Sequence, residues 1–144
     1  MSVTEQKSSL SSPSKIYVIR LNPHEDLKIS LQQFAVENSI QAAVILTCVG
    51  SLEQYNLRFA NQQQGSSRKG HFEIVSLTGT LSASSVHLHL SVSDDTGLTT
   101  GGHLLDSNLI FTTAEIAIAE LTGLVFDRVL DPASGYPELN IRKT

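Results

Sequence analysis

Residues 85–94, SVHLHLSVSD, alternate apolar and polar side chains with a period of two. Val86, Leu88, Leu90 and Val92 fall on one side, and His87, His89, Ser91 and Ser93 on the other. Successive side chains of a strand point to opposite faces, so this pattern predicts a strand that buries its leucines. Its histidine face then opens to solvent, a pocket or a neighbouring subunit. Two imidazoles on alternate positions of one strand project into one space, which is how a strand offers a pair of metal ligands. The segment that follows, DDTGLTTGG, has the polar, Gly-rich character of a turn. It can bring the chain back so that His103, behind the double glycine, approaches the pair.

The rest of the chain supplies elements for this strand to pack against. KIYVIRL, residues 15–21, is β-branched and aromatic and predicts the first strand. A helix is expected next, with Asn22 as its cap, Pro23 in the first helical position and Glu25 three residues after the cap. Leu27, Leu31, Phe34 and Ala35 form its apolar stripe, and it ends near Asn38. His24, in the expected first turn, is read as exposed and outside any site. AAVILTCVGSL has the uniform apolarity of a central strand buried on both faces, and YNLRFA, residues 55–60, reads as its partner strand. After the polar loop NQQQGSSRKG, the run HFEIVSLTGTLS predicts a bulged strand. LIFTTAEIAIAEL and LVFDRVLD add two more, and DPASGYPEL reads as a turn. The expectation is an α+β domain: a mainly antiparallel sheet of about seven strands with one main packed helix.

The 144 residues suit one domain, and 40% hydrophobic with 17% charged residues is a globular balance. No run approaches the roughly 20 apolar residues of a membrane span. The Ser-rich start, residues 1–14, lacks the apolar block of a signal peptide and is expected to be a disordered tail before a domain at 15–144. The lone Cys48, inside an apolar run, excludes an intrachain disulfide and reads as a core thiol in a reducing cytoplasm. Ten basic against fourteen acidic residues, a net charge of −4, argue against direct DNA binding, which rests on many phosphate contacts.

The motifs GHFEIVSLTGTL, HLHLSVSD, GGHLL and TTAEIAI, in this order and with these gaps, resemble the PPC domain, the plant and prokaryote conserved domain. The opening RLNPHEDL and the closing FDRVLDPASGYPEL extend the likeness from Lys15 to Ile141. The resemblance implies a seven-stranded antiparallel sheet with a packed helix, assembled as a homotrimer. The AT-hook of plant members, a basic segment around RGRP, is lacking here. The chain is similar instead to free-standing bacterial and archaeal members, whose HxH and GGH histidines look like a metal site. Carried over, these are His87, His89 and His103.

Three neutral imidazoles suit zinc and leave a fourth position open, although nickel, copper and iron accept the same donors. Three functions follow. One is a homotrimeric module that holds a small ligand or a partner protein. Another is a metal-dependent hydrolase or lyase acting on a small polar substrate. The third is the DNA-binding role of the family label. Catalysis needs an acid beside the metal, and the sequence puts none of Glu73, Asp94, Asp95 or Glu115 there. Asp94 and Asp95 read as turn residues. Glu73 and Glu115, in otherwise apolar strands, are expected on the outer face or paired with Arg20 or Arg128. His71, at the strand start, is read as a solvated histidine, with support for the site as the alternative.

Overall fold

The computed structural model describes residues 9–144. Its elements, in chain order, are β1 (Ser14–Leu21), α1 (Leu27–Glu37), β2 (Ala43–Arg58), β3 (Ser66–Ser82), β4 (Ser85–Ser93), β5 (Thr99–Leu104), β6 (Leu109–Leu121), β7 (Leu124–Leu130) and β8 (Pro137–Lys143). Every strand pairing is antiparallel. Six strands form one sheet in the order β1-β6-β2-β3-β4-β5, and β7 and β8 form a separate hairpin. The α+β class with one packed helix is as expected. Residues 1–8 of the expected tail lie outside the described residues, while Ser12 and Pro13 are tied to the β6–β7 turn by Ser12 Oγ to Gly123 N (2.8 Å) and Pro13 O to Thr122 N (3.2 Å).

Long strands hold the sheet together. AAVILTCVGSL and YNLRFA, expected to be two strands, are one 16-residue strand. Register shifts near Ile45, Gly50 and Leu52 break the period-two parity, which is why the pattern suggested an end where the strand only bends. Gly50 is needed there, because a Cβ would lie 2.2 Å from the Thr113 carbonyl oxygen on β6. Beyond Gln54, β6 leaves the edge of β2, and β5 takes it through Leu57 opposite Leu104 and Arg58 opposite His103. The strands β2, β3, β4 and β5 thereby close on themselves at one end of the sheet. β3 begins at Ser66, so the expected ten-residue loop is shorter, and β5 and β8 occupy stretches expected to be turns.

α1 starts later than its sequence signals suggest. Asp26 is the N-cap, its Oδ1 accepting from Lys28 N (3.0 Å) and Ile29 N (3.1 Å). Asn22 and Glu25 do bond each other, but in the turn before the helix, where Glu25 accepts from Asn22 N. His24 sits there at a φ of 72° and contacts Glu53 at 2.8 Å. The stripe is as read: Leu27, Leu31 and Ala35 have no exposure, and Asn38 closes the helix. Phe34 meets Tyr17 edge to face at 5.2 Å. The helix lies over β3, β4 and β6, and its apolar stripe belongs to the same core cluster as Leu81, Leu88, Ile116 and Ile118. Each leucine buried in this way contributes about 1.5–3 kcal/mol. Cys48 is in the same core, where burial pushes its thiol up to about 12.

Candidate metal centre

The β4–β5 hairpin builds the centre. Asp94 closes its turn: Oδ1 accepts from Thr96 N (2.9 Å), Thr96 Oγ1 (2.6 Å) and Leu98 N (3.1 Å), and Gly97 takes the left-handed φ of 83°. These bonds hold the Asp94 carboxyl below its ordinary value. The turn sets a register in which His89 stands directly opposite His103. His87 is two residues back on the same face. Leu88, Leu90 and Val92 are buried beneath, so the alternation read from the sequence is the alternation of the fold.

The double glycine has a steric reason. A Cβ at Gly102 would lie 2.8 Å from the Arg58 carbonyl oxygen, so a larger residue would push β5 off β2 just before His103. Gly79 does the same for β4: at a φ of 139° its Cβ would stand 2.1 Å from the His87 carbonyl oxygen. Both glycines are close-approach points beside a histidine.

One ring nitrogen from each of His87, His89 and His103 lies within 4.8 Å of the other two. The ring centroids are 5.2, 5.2 and 5.7 Å apart. Zinc–nitrogen bonds of about 2.0–2.1 Å bring such nitrogens somewhat closer together, within the reach of small side-chain rotations. His87 and His103 are half-buried and His89 is exposed, so the group is open on one side. Burial, then the positive charges of Arg58, His87, His89 and Lys28, lower His103 to about 4. Burial, then Arg128 and His89, lower His87 as well. Both imidazoles are therefore neutral at pH 7, the form that binds a metal. The donor set fits a divalent transition ion with one position left free.

An open cavity of about 620 Å³ adjoins His87 and His103, lined also by Arg58, Arg128, Tyr136 and Glu138. A second, of about 330 Å³, lies against His87 and His89 and shares Arg128 and Glu138. The acid beside the histidines is thus Glu138, which none of the sequence signals indicated because PEL reads as the end of a turn. Arg58 and Arg128 were missed too. Each looks like an ordinary polar position of an alternating strand, and only tertiary pairing takes it to the cavity.

Glu73 and Glu115 are exposed on the outer face and belong to none of the ion pairs among the described residues. The cations expected to pair with them bond hydroxyls: Arg20 Nε to Thr113 Oγ1 (3.1 Å), and Arg128 to Ser85 and Thr80. His71 stacks edge to face on Phe111 at 4.5 Å, and Asp94 and Asp95 line a different depression together with it.

The fold and the histidine group define a small antiparallel α+β domain with an open three-imidazole cluster. The chain belongs to the Plants and Prokaryotes Conserved (PCC) domain family, whose model matches residues 8–122. A hypothetical protein from Salmonella has the same structure at a TM-score of 0.92, with 40% identity over 93% of this chain and 97% of its own. Two structures at 23% identity share the fold. One is described as a metal-containing protein from Archaeoglobus fulgidus, at a TM-score of 0.77 and covering 92% of this chain and 99% of its own. The other, from Bacteroides thetaiotaomicron, is named for DNA binding, at 0.75 and covering 91% and 98%. Among curated proteins, the bifunctional protein GlmU of Synechococcus sp. (strain JA-3-3Ab) is 46% identical over 129 residues, 90% of this chain. The chain spans about a fifth of that relative's length (21%).

Proposed function

We propose that this protein is a homotrimeric metal-binding module that holds a small ligand or a partner protein at the open position of a zinc site formed by His87, His89 and His103. The observation that carries the reading is the convergence of three ring nitrogens within 4.8 Å on one face of a hairpin. Zinc heads the candidates because neutral imidazole suits it and three nitrogens leave room for a fourth ligand. The Archaeoglobus relative's description as metal-containing supports the choice of a metal. The match to about a fifth of a longer bifunctional protein supports the term module, since a similar domain there is one part of a larger chain.

Assembly is supported by an apolar surface turned away from the core. Ile16, Val18, Leu46 and Val49 are 52, 77, 55 and 58% exposed, and Val18 lies in one row with Ala117 and Thr47 across β1, β6 and β2. Exposed apolar side chains grouped on one outer face, here interspersed with Thr47, Arg20 and Glu115, suit an interface with a polar share better than free surface. A reducing cytoplasm is the compartment expected for a single buried thiol. The described residues contain no helix long and apolar enough to cross a membrane. Direct DNA binding draws no support from a chain with fourteen acidic and ten basic residues.

Glu138 favours a second reading, a metal-dependent hydrolase or lyase. A bound zinc ion would supply Lewis acidity and a more acidic water, and a carboxylate in the same cavity could take or give the proton.

The test is metal content by elemental mass spectrometry, with mass by light scattering, on wild type and on His87→Ala, His89→Ala and His103→Ala. About one zinc per chain, lost in each variant while the oligomer persists, is the expected result. A metal-free wild type after incubation with zinc refutes the site. Chelator-sensitive turnover of a small substrate that Glu138→Gln abolishes would decide for the enzyme.

A further inference from the structure

Two arginines face the histidines without acidic partners. Arg58 stands opposite His103 in the β2–β5 pairing, and Arg128 comes from β7, after the residues that the family model matches. Arg128 is oriented by hydroxyls, with Nε 3.4 Å from Ser85 Oγ and Nη2 3.2 Å from Thr80 Oγ1. Arg58 Nη1 is 3.4 Å from the Gln62 carbonyl oxygen. Neither belongs to an ion pair among the described residues, and both are half-buried at the cavity wall. Neutral acceptors of this kind position a guanidinium without cancelling its charge.

The charge balance then decides what the cavity accepts. Three neutral imidazoles leave a divalent ion with its charge intact, Arg58 and Arg128 add to it, and only Glu138 opposes them. A partly desolvated pocket with that surplus favours an anion. Guanidinium matches carboxylate and phosphate oxygens in geometry as well as charge. A cavity of about 620 Å³ has room for a small organic molecule attached to the anionic group.

We propose that the ligand of this site is a small molecule bearing a carboxylate or phosphate group, which takes the metal's open position with Arg58 and Arg128 as its counter-charges. This inference rests on the metal-site reading above. Glu138 repels a second anionic group on its side of the cavity, so that end of the ligand is neutral or carries a donor such as a hydroxyl or amine. The side-chain amides of Asn61, Gln62 and Gln63 at the rim suit polar, uncharged groups.

The experiment is calorimetric titration of the zinc-loaded full chain with inorganic phosphate, with succinate and with neutral glycerol, with zinc content measured on the same samples. Saturable binding of at least one anion and none of glycerol is expected, the tighter anion showing whether phosphate or carboxylate is preferred. Arg58→Gln and Arg128→Gln should keep their zinc and bind that anion at least about tenfold more weakly, the effect of losing one charge-assisted hydrogen bond. Lys69→Gln, which removes one charge outside the cavity, should bind as wild type does. If Arg128→Gln fails to fold, Arg58→Gln carries the same comparison. Full zinc without anion binding, or anion binding unaltered in the arginine variants, overturns this proposal and leaves the metal site standing. Absence of zinc from the wild type overturns both.

Discussion

His103 links the site to stability through pH. Its folded value of about 4 lies below the 6.5 of an ordinary imidazole, because burial and nearby cations oppose its charge. Between these values the unfolded chain binds a proton that the folded chain refuses. The contribution of His103 to the stability of metal-free protein is therefore fully present above about pH 6.5 and is lost progressively as pH falls toward 4. Asp94, held below its ordinary 3.8, acts only at still lower pH. Thermal melts of chelated protein should show the fall, and His103→Ala should reduce it; a melting temperature flat across that window would contradict the assignment. At this scale the sequence was most legible where the information is local. The histidine alternation and the core position of Cys48 needed only a period and a composition. Arg58, Arg128 and Glu138 were not legible, because what sets them apart is a neighbour 45 residues away or the reach of a separate hairpin.

The elements hold the site by close approach. Gly79 combines a left-handed φ of 139° with a would-be Cβ 2.1 Å from the His87 carbonyl oxygen. Gly79→Ala should cost on the order of 2–3 kcal/mol in denaturant unfolding, by overpacking and backbone strain together, and should weaken zinc binding by displacing His87. Unchanged stability would mean that β3 can move away from β4 at little cost. The same scale explains the misplaced boundaries. Asn22, the cap read from the sequence, stands four residues before Asp26, and Asp26 takes the role because its other oxygen also accepts from Ser107 N at 2.5 Å, a bond no local pattern contains. The division of β2 failed for a related reason: its bulges are dictated by β6 and β3, which pair with it from both sides.

For the whole molecule, the row of Val18, Ala117 and Thr47 on β1, β6 and β2 carries the prediction about assembly. Val18 is 77% exposed in the single chain, so Val18→Asp should leave its fold intact, within about 0.5 kcal/mol, while a trimer that buries the row falls apart. Light scattering with circular dichroism checks both. A Val18→Asp protein that keeps the mass of three chains would move the interface elsewhere. The fold class was legible because it depends on element types and their alternation, whereas the closure of β5 onto β2 was not, being set by where β6 leaves an edge free.

That closure separates two tasks. β4 has β3 on one side and β5 on the other, and β5 is in turn held by β2, so backbone ladders fix the imidazoles' positions from both flanks. Among the described residues, β1, at the far end of the sheet, has only β6 beside it. If copies associate at that end, as proposed, their contacts can be gained, lost or altered through mutation without moving the imidazoles, so quaternary structure and site would be free to diverge independently.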